Sequence, residues 1–327
     1  MPRLSPPALL VAAVSMIAGV AAGPAAAYAA DTSTTVSAAT MSAELKAAAP
    51  ASTRAAAGGW RATMALTGTL SGSFAYVVDP VGGVAMQQIR IGKDVTTEYA
   101  AGGKGLYGSL ADPLSRSAVK MMGRPSVRYV FTPDKSLKLA AYVKENAPSP
   151  ATVLTEDTRH AGTKTVHDDG SVDYRFKDQQ TEVITIHIGS TGVLTGAHVV
   201  GDGLNAALAY TYGAQHVTLP AAAATISPAT LDRGIAYLNM PAAVRDVAHL
   251  SADDARRAAH GHTVKVGALR KTVRRDVSSF NNAGRVKMIK SKSVSGGERL
   301  YATNPWTHQT VSYTVKASGK KVTVKKA

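Results

Sequence analysis

Residues 60–67, Trp60-Arg61-Ala62-Thr63-Met64-Ala65-Leu66-Thr67, decide the fold. Trp60, Ala62, Met64 and Leu66 fall on one side, with Arg61, Thr63 and Thr67 opposite or following, and a period of two belongs to strands rather than helices. The same beat returns in Phe74, Tyr76 and Val78, in Val172, Tyr174 and Phe176, in Ile184, Ile186 and Ile188, and in Leu204, Ala206, Leu208, Tyr210 and Tyr212. Turn residues separate these runs: Asp79-Pro80-Val81-Gly82-Gly83, Gly102-Gly103, Asp168-Asp169-Gly170, Gly189-Ser190-Thr191-Gly192 and Gly201-Asp202-Gly203. The pattern predicts a large antiparallel sheet with one apolar face, which helices, a second sheet or a ligand must cover.

Working outward, hairpin spacing predicts strands at 60–70, 73–79, 84–91, 95–100 and 104–110. Proline at a first-turn position opens a helix over 113–122, with Leu114, Ala118, Met121 and Met122 on one face. A second helix is expected from an N-cap at Asp134, bringing Leu137, Ala140, Ala141 and Val143 to a packing face. These two helices are the expected lid on the sheet, and strands resume at Ala151. Upstream, 31–39 reads as a disordered leader and 41–57 as a helix interrupted near Pro50. Downstream, 219–224 reads as a linker, and helices are expected at 227–238 and from Ser251 to Ala259. Strands follow at 285–291, 299–302, 309–316 and 320–325.

The chain has 327 residues and a net charge of +15. Residues 231–327 carry 19 Lys and Arg against 6 Asp and Glu, a surplus of 13. So concentrated a basic stretch suits a polyanionic partner, although charge runs also serve as solvated surface. Arg3, an apolar run from Ala8 to Ala22 and small residues through Ala30 read as an export signal, too short for a membrane span. Export argues against nucleic acid as partner. The chain contains no cysteine, so disulfides, thiolate chemistry and cysteine-linked lipidation are excluded.

The order of elements, with Gly59-Trp60-Arg61-Ala62-Thr63-Met64 opening the strands and Leu208-Ala209-Tyr210-Thr211-Tyr212-Gly213, then Val217-Thr218-Leu219-Pro220, closing them, resembles the LolA-like lipoprotein-carrier superfamily. It looks closest to the LprG/LppX branch, over residues 35–222. The resemblance implies a curved antiparallel half-barrel sheet wrapped around helices, with an apolar cavity that holds acyl chains. Members of that branch usually carry a lipidated cysteine, which this chain lacks, and the basic segment lies outside their pattern. The expected organisation is therefore α+β: a signal over 1–30, a LolA-like lipid-binding domain over 31–222 and a small basic α+β module over 223–327.

On that reading the cavity is lined by Trp60, Met64, Leu66, Phe74, Tyr76, Met86, Ile89, Tyr174, Phe176, Ile184, Ile186, Leu208 and Tyr210, with Met121, Met122, Leu137 and Tyr142 from the lid. Burying acyl carbons is worth about 0.8 kcal/mol per methylene, enough to extract a lipid reversibly. On composition alone the same residues would fill a closed core. The basic module offers Arg270, Lys271, Arg274, Arg275, Lys287, Lys290, Lys292, Lys320, Lys321, Lys325 and Lys326 to an anionic membrane or wall polymer. The expected partners are thus a lipid or other amphiphile and an anionic surface, with the chain acting as a monomer and without cofactor or metal.

Catalytic motifs are not found: there is no Gly-x-Ser-x-Gly, P-loop or His-Glu-x-x-His. Gly103-Lys104-Gly105-Leu106-Tyr107-Gly108 matches Gly-x-Gly-x-x-Gly but leads into a strand, which makes it a hairpin turn. His167-Asp168-Asp169 is read as turn chemistry at a hairpin tip, and His260-Gly261-His262 as too sparse for a metal site.

Overall fold

A computed structural model describes residues 31–69, 71–155, 160–178, 182–201 and 203–327; the expected export signal, residues 1–30, lies outside them. The chain is α+β and divides into two compact units. One comprises the described residues up to Ser109 together with Phe131–Pro220, and the other Leu110–Val130 together with Ala221–Ala327.

In the first unit, strand β1 (Thr32–Val36) and helix α1 (Ala38–Ala56) precede a meander of β2 (Trp60–Gly68), β3 (Gly72–Asp79), β4 (Val84–Ile91), β5 (Asp94–Ala101) and β6 (Gly105–Ser109). After helix α2 (Pro113–Met121), which belongs to the second unit, come β7 (Tyr129–Pro133), α3 (Leu139–Asn146) and α4 (Pro150–Thr155). A second meander follows, formed by β8 (Gly162–Val166), β9 (Val172–Lys177), β10 (Val183–Ile188), β11 (Leu194–Gly201) and β12 (Leu204–Tyr212). The two meanders join where β12 pairs with β2, Leu208 opposite Met64 and Tyr212 opposite Trp60. The sheet is open, in the order β1-β8-β9-β10-β11-β12-β2-β3-β4-β5-β6-β7. Gly59 turns the chain from α1 into β2 at φ 120, and a Cβ there would stand 2.9 Å from the Gly213 carbonyl oxygen. Only glycine fits that crossing.

Several local expectations are corrected. Residues 32–36 are a strand, not a disordered leader: their backbone pairs with β8 although the side chains are polar. Helix α1 begins at the Ser37 N-cap and runs through Pro50 without a break. The Asp134 carboxylate accepts the Ser136 N–H at 2.8 Å and closes a turn, so α3 starts only at Leu139. Residues 150–155 are helical, and strands resume at Gly162.

In the second unit the first two residues of β7 pair in parallel with β13 (Thr225–Ile226). Helices α5 (Pro228–Leu238), α6 (Met240–Ala258) and α7 (Val266–Ala283) follow, then β14 (Lys290–Val294), β15 (Gly297–Thr303), β16 (Thr310–Ser318) and β17 (Lys321–Lys326) in sequential antiparallel order. Ser251 lies inside α6 rather than opening a helix, and α7 occupies residues the sequence pattern left unassigned. Leu269, Val273 and Val277 of α7 join Val244, Val247 and Ala248 of α6 in a core against Leu300 and Val315.

Candidate functional site

The cross-strand register assigns the faces of the large sheet. Trp60, Met64 and Leu66 share a face with Phe74, Tyr76 and Ile89, and through β12 with Leu208 and Tyr210. Across β11 the same face continues to Ile184 and Ile186, and then to Phe176 and Tyr174. With Met41, Leu45 and Ala49 of α1, Tyr142 of α3 and Val153 and Leu154 of α4, these residues form one apolar cluster. Trp60, Met64, Leu66, Phe74, Tyr76, Tyr142, Tyr174, Phe176, Ile186, Leu208 and Tyr210 range from 2% to 9% exposed, while Ile89, Leu137 and Ile184 are half-buried against them.

Three of the seventeen residues read as cavity lining stand elsewhere. Met86 sits opposite Val77 and Tyr99 on the other face of the sheet, as its parity with Ala85 and Gln87 requires. Met121 and Met122 are core residues of the second unit. Met122 packs with Ala118, Val127, Ile226 and Leu231, and a Cβ on Gly234 of α5 would meet its sulfur at 2.8 Å. Helix α2 therefore packs on α5, and the cover of the sheet comes from α1, α3 and α4.

The margin of the apolar cluster is polar. Tyr142 Oη donates to Glu98 Oε1 at 2.6 Å, Tyr174 Oη to Glu44 Oε2 at 2.7 Å, Tyr210 Oη to the Pro148 carbonyl at 2.6 Å and Tyr212 Oη to the Leu194 carbonyl at 2.6 Å. Burial pushes all four phenols above their ordinary range, so each remains a neutral donor. Gln87 and Glu98 share the inner face with Ile89 and Thr96 and line a notch of about 230 Å³. On α1, the wholly buried Ser52 Oγ accepts the Leu194 N–H at 2.9 Å and donates to the Ala48 carbonyl, tying that helix to β11. Glu44 Oε2 also meets Lys164 Nζ at 2.8 Å, and hydrogen bonds from Lys164 and then Tyr174 hold its carboxyl below the usual range.

His167 contacts neither neighbouring aspartate through its ring. It bridges Asp31 Oδ2 (3.0 Å) and Asp173 Oδ2 (3.2 Å), and Asp173 Oδ1 meets His187 Nδ1 at 2.7 Å. Asp169 accepts the Ser171 N–H at 2.8 Å, which is turn chemistry. Among the described residues no group of three or more His, Asp or Glu side chains is arranged to hold a metal ion. The glycine-rich 103–108 stretch forms the β5–β6 hairpin, with Gly103 at φ 67.

In the second unit, three of the eleven basic residues singled out have structural partners. Arg274 Nε meets Oε1 of the fully buried Glu298 at 3.0 Å, Arg270 Nε donates to the Gly297 carbonyl at 3.0 Å, and Arg275 pairs with Asp254 and Asp276. Arg274, Lys287 and Lys290 line a groove of about 550 Å³ between α7 and β14. Lys290, Lys292, Lys321 and Lys325 project from the sheet face opposite the helices, where register adds Arg299 and Lys316. Those two were missed; applying strand parity to 297–303 and 310–318 would have found them.

Fold and site together define an α+β protein whose open sheet is layered with short helices over an apolar interior. No protein-family model matches the chain, and no curated protein matches it. Among solved structures it is similar to the Mycobacterium tuberculosis lipoprotein LppX, at 10% identity and a TM-score of 0.31, over 54% of this chain and 98% of that one. A likeness at that identity and TM-score carries no argument about function. Among the described residues no helix is long and apolar enough to cross a membrane.

Proposed function

We propose that this chain is an exported, non-catalytic carrier that holds acyl chains of a lipid or similar amphiphile between the large sheet and helices α1, α3 and α4, while its basic unit docks on an anionic envelope surface. The observation that carries the reading is the continuous apolar face from Phe176 to Phe74, covered, among the described residues, by α1 and two helices of eight and six residues. Gln87 and Glu98 line a polar notch at the margin of this face, where a headgroup would find hydrogen-bonding groups beside the apolar interior. Burial of acyl methylenes at about 0.8 kcal/mol each supplies the affinity.

A second reading has its own support. Eleven of the lining residues are at most 9% exposed, the state of a closed core. A fluorescent fatty-acid probe separates the two. A carrier binds it at one-to-one stoichiometry, and Ile186→Trp, which fills the interior, abolishes binding in a protein that keeps its cooperative melt. A closed core ignores the probe, and the same substitution lowers stability by about 1–3 kcal/mol through overpacking.

A further inference from the structure

The face of the β14–β17 sheet turned away from α6 and α7 is a cationic plane. The core takes Leu300 and Ala302 from β15, Val315 from β16, and Val322 and Val324 from β17. Strand alternation then places Lys290 and Lys292 of β14, Arg299 of β15, Lys316 of β16, and Lys321 and Lys325 of β17 together on the opposite face, all exposed. Their companions there are Thr303, Thr310, Ser312, Thr314, Ser318, Thr323 and the half-buried Tyr301; no Asp or Glu occupies that face. The one glutamate of the sheet, Glu298, points to the core side and is held by Arg274 and Ser293.

Register makes the arrangement costly. One cross-strand row reads Lys292, Arg299, Thr314, Lys325, so Lys292 lies directly opposite Arg299. Like charges opposed across a ladder destabilise a sheet. Three nearby carboxylates are used elsewhere: Asp254 and Asp276 pair with Arg275, and Asp253 with Arg256. Six exposed cations thus share one face at the cost of mutual repulsion.

Resting on the docking role proposed above, we infer that this face, through Lys290, Lys292, Arg299, Lys316, Lys321 and Lys325, seats the protein on the surface of a bilayer containing anionic phospholipid. The array extends in two dimensions across four strands spaced roughly 4.8 Å apart, matching a plane of headgroups rather than the single line of charge of a polymer. The exposed hydroxyls of Ser318 and Thr323 lie among the cations and suit phosphate oxygens, whereas Ser312 is buried, accepting from Arg299 and donating to the Ala327 carbonyl oxygen.

The test is sedimentation of the chain from Asp31 onward, which keeps every described element, with vesicles of phosphatidylcholine alone or mixed with about one-third phosphatidylglycerol. Binding to the mixed vesicles only, lost as salt rises from about 0.05 M to about 0.5 M, is expected. Each surface cation contributes about fivefold, so Lys290→Thr, Lys292→Thr, Lys321→Thr and Lys325→Thr together weaken binding at least about 100-fold; threonine suits a strand, and an unchanged melting temperature establishes folding. A control removing four exposed charges from the first unit, Lys46→Ser, Lys93→Ser, Lys104→Ser and Lys135→Ser, binds within about threefold of the parent. Equal loss in both variants, equal binding to neutral vesicles, or binding of soluble polyphosphate without vesicle binding each overturns the assignment. The fatty-acid probe, measured on the same four-threonine variant, is unaffected, so failure of the docking face and failure of the carrier reading register separately.

Discussion

A single hydroxyl shows how tightly the first unit is specified. Ser52 is wholly buried in α1 and accepts the Leu194 N–H of β11. Ser52→Ala leaves that N–H unpaired and should cost about 1–3 kcal/mol in chemical denaturation, whereas the exposed Ser117→Ala should stay within about 0.5 kcal/mol. Glu44 gives a residue-level pH dependence. Its folded pKa is held below the ordinary 4.5 by Lys164 and Tyr174. The stability it supplies is therefore present above about pH 4.5 and lost as pH falls through the folded value. Denaturation midpoints measured from about pH 6 down to about pH 3 should fall less steeply in Lys164→Met than in the parent. At this scale the sequence was only partly readable. Tyr142, Tyr174 and Tyr210 stood out as apolar bulk, but their partners Glu98, Glu44 and Pro148 lie far off in the chain.

Among elements, β1 makes the sharpest prediction. It is an edge strand with polar, exposed side chains, held by backbone pairing to β8 and by the His167 contact with Asp31. Asp173 and then Asp31 raise the His167 pKa above 6.5, and Asp173 Oδ1 also meets His187 Nδ1. A raised pKa means stabilisation present below about pH 6.5 and lost as pH climbs through the folded value. Hydrogen-exchange protection factors at Thr32–Val36 should drop between about pH 6 and pH 8 in the parent and be flat in His167→Asn. Protection of β1 that does not vary with pH in the parent would refute the latch. Element type was legible wherever one face is dry: β2 to β4 and β9 to β12 follow the alternation that Trp60-Arg61-Ala62 announces. Where the pattern is blurred it failed. Thr32–Val36 has no apolar stripe, α6 buries small residues such as Ala248 and Ala252, and α7 carries its helical spacing of Leu269, Val273 and Val277 among its cations. Met86 entered the lining set against the period of its own strand.

For the whole molecule, the interleaving of the two units is the feature that local patterns could not show. Helix α2 stands between β6 and β7 in sequence, yet its core partners Ile226 and Leu231 lie roughly a hundred residues downstream. An insertion of that kind is invisible to any window of residues, because the burial that fixes it is long-range. Charge, by contrast, was legible in bulk and mislaid in detail. The surplus of 13 over residues 231–327 marked the basic unit, but register alone separates the arginines that brace Glu298 and Asp276 from the lysines that face outward. An apolar layer and a cationic face thus stand in one chain, and each can be tested without the other.

The proposed carrier must open its apolar layer to a hydrophobic guest. Native mass spectrometry of the protein gently purified from a bacterial envelope, with an organic extract analysed alongside, measures this directly. A carrier shows a bound species of lipid mass, at one per chain, that disappears on extraction and returns when the lipid is added back. A bare protein that remains bare after incubation with lipid would contradict it and leave the layer between sheet and helices as a closed core.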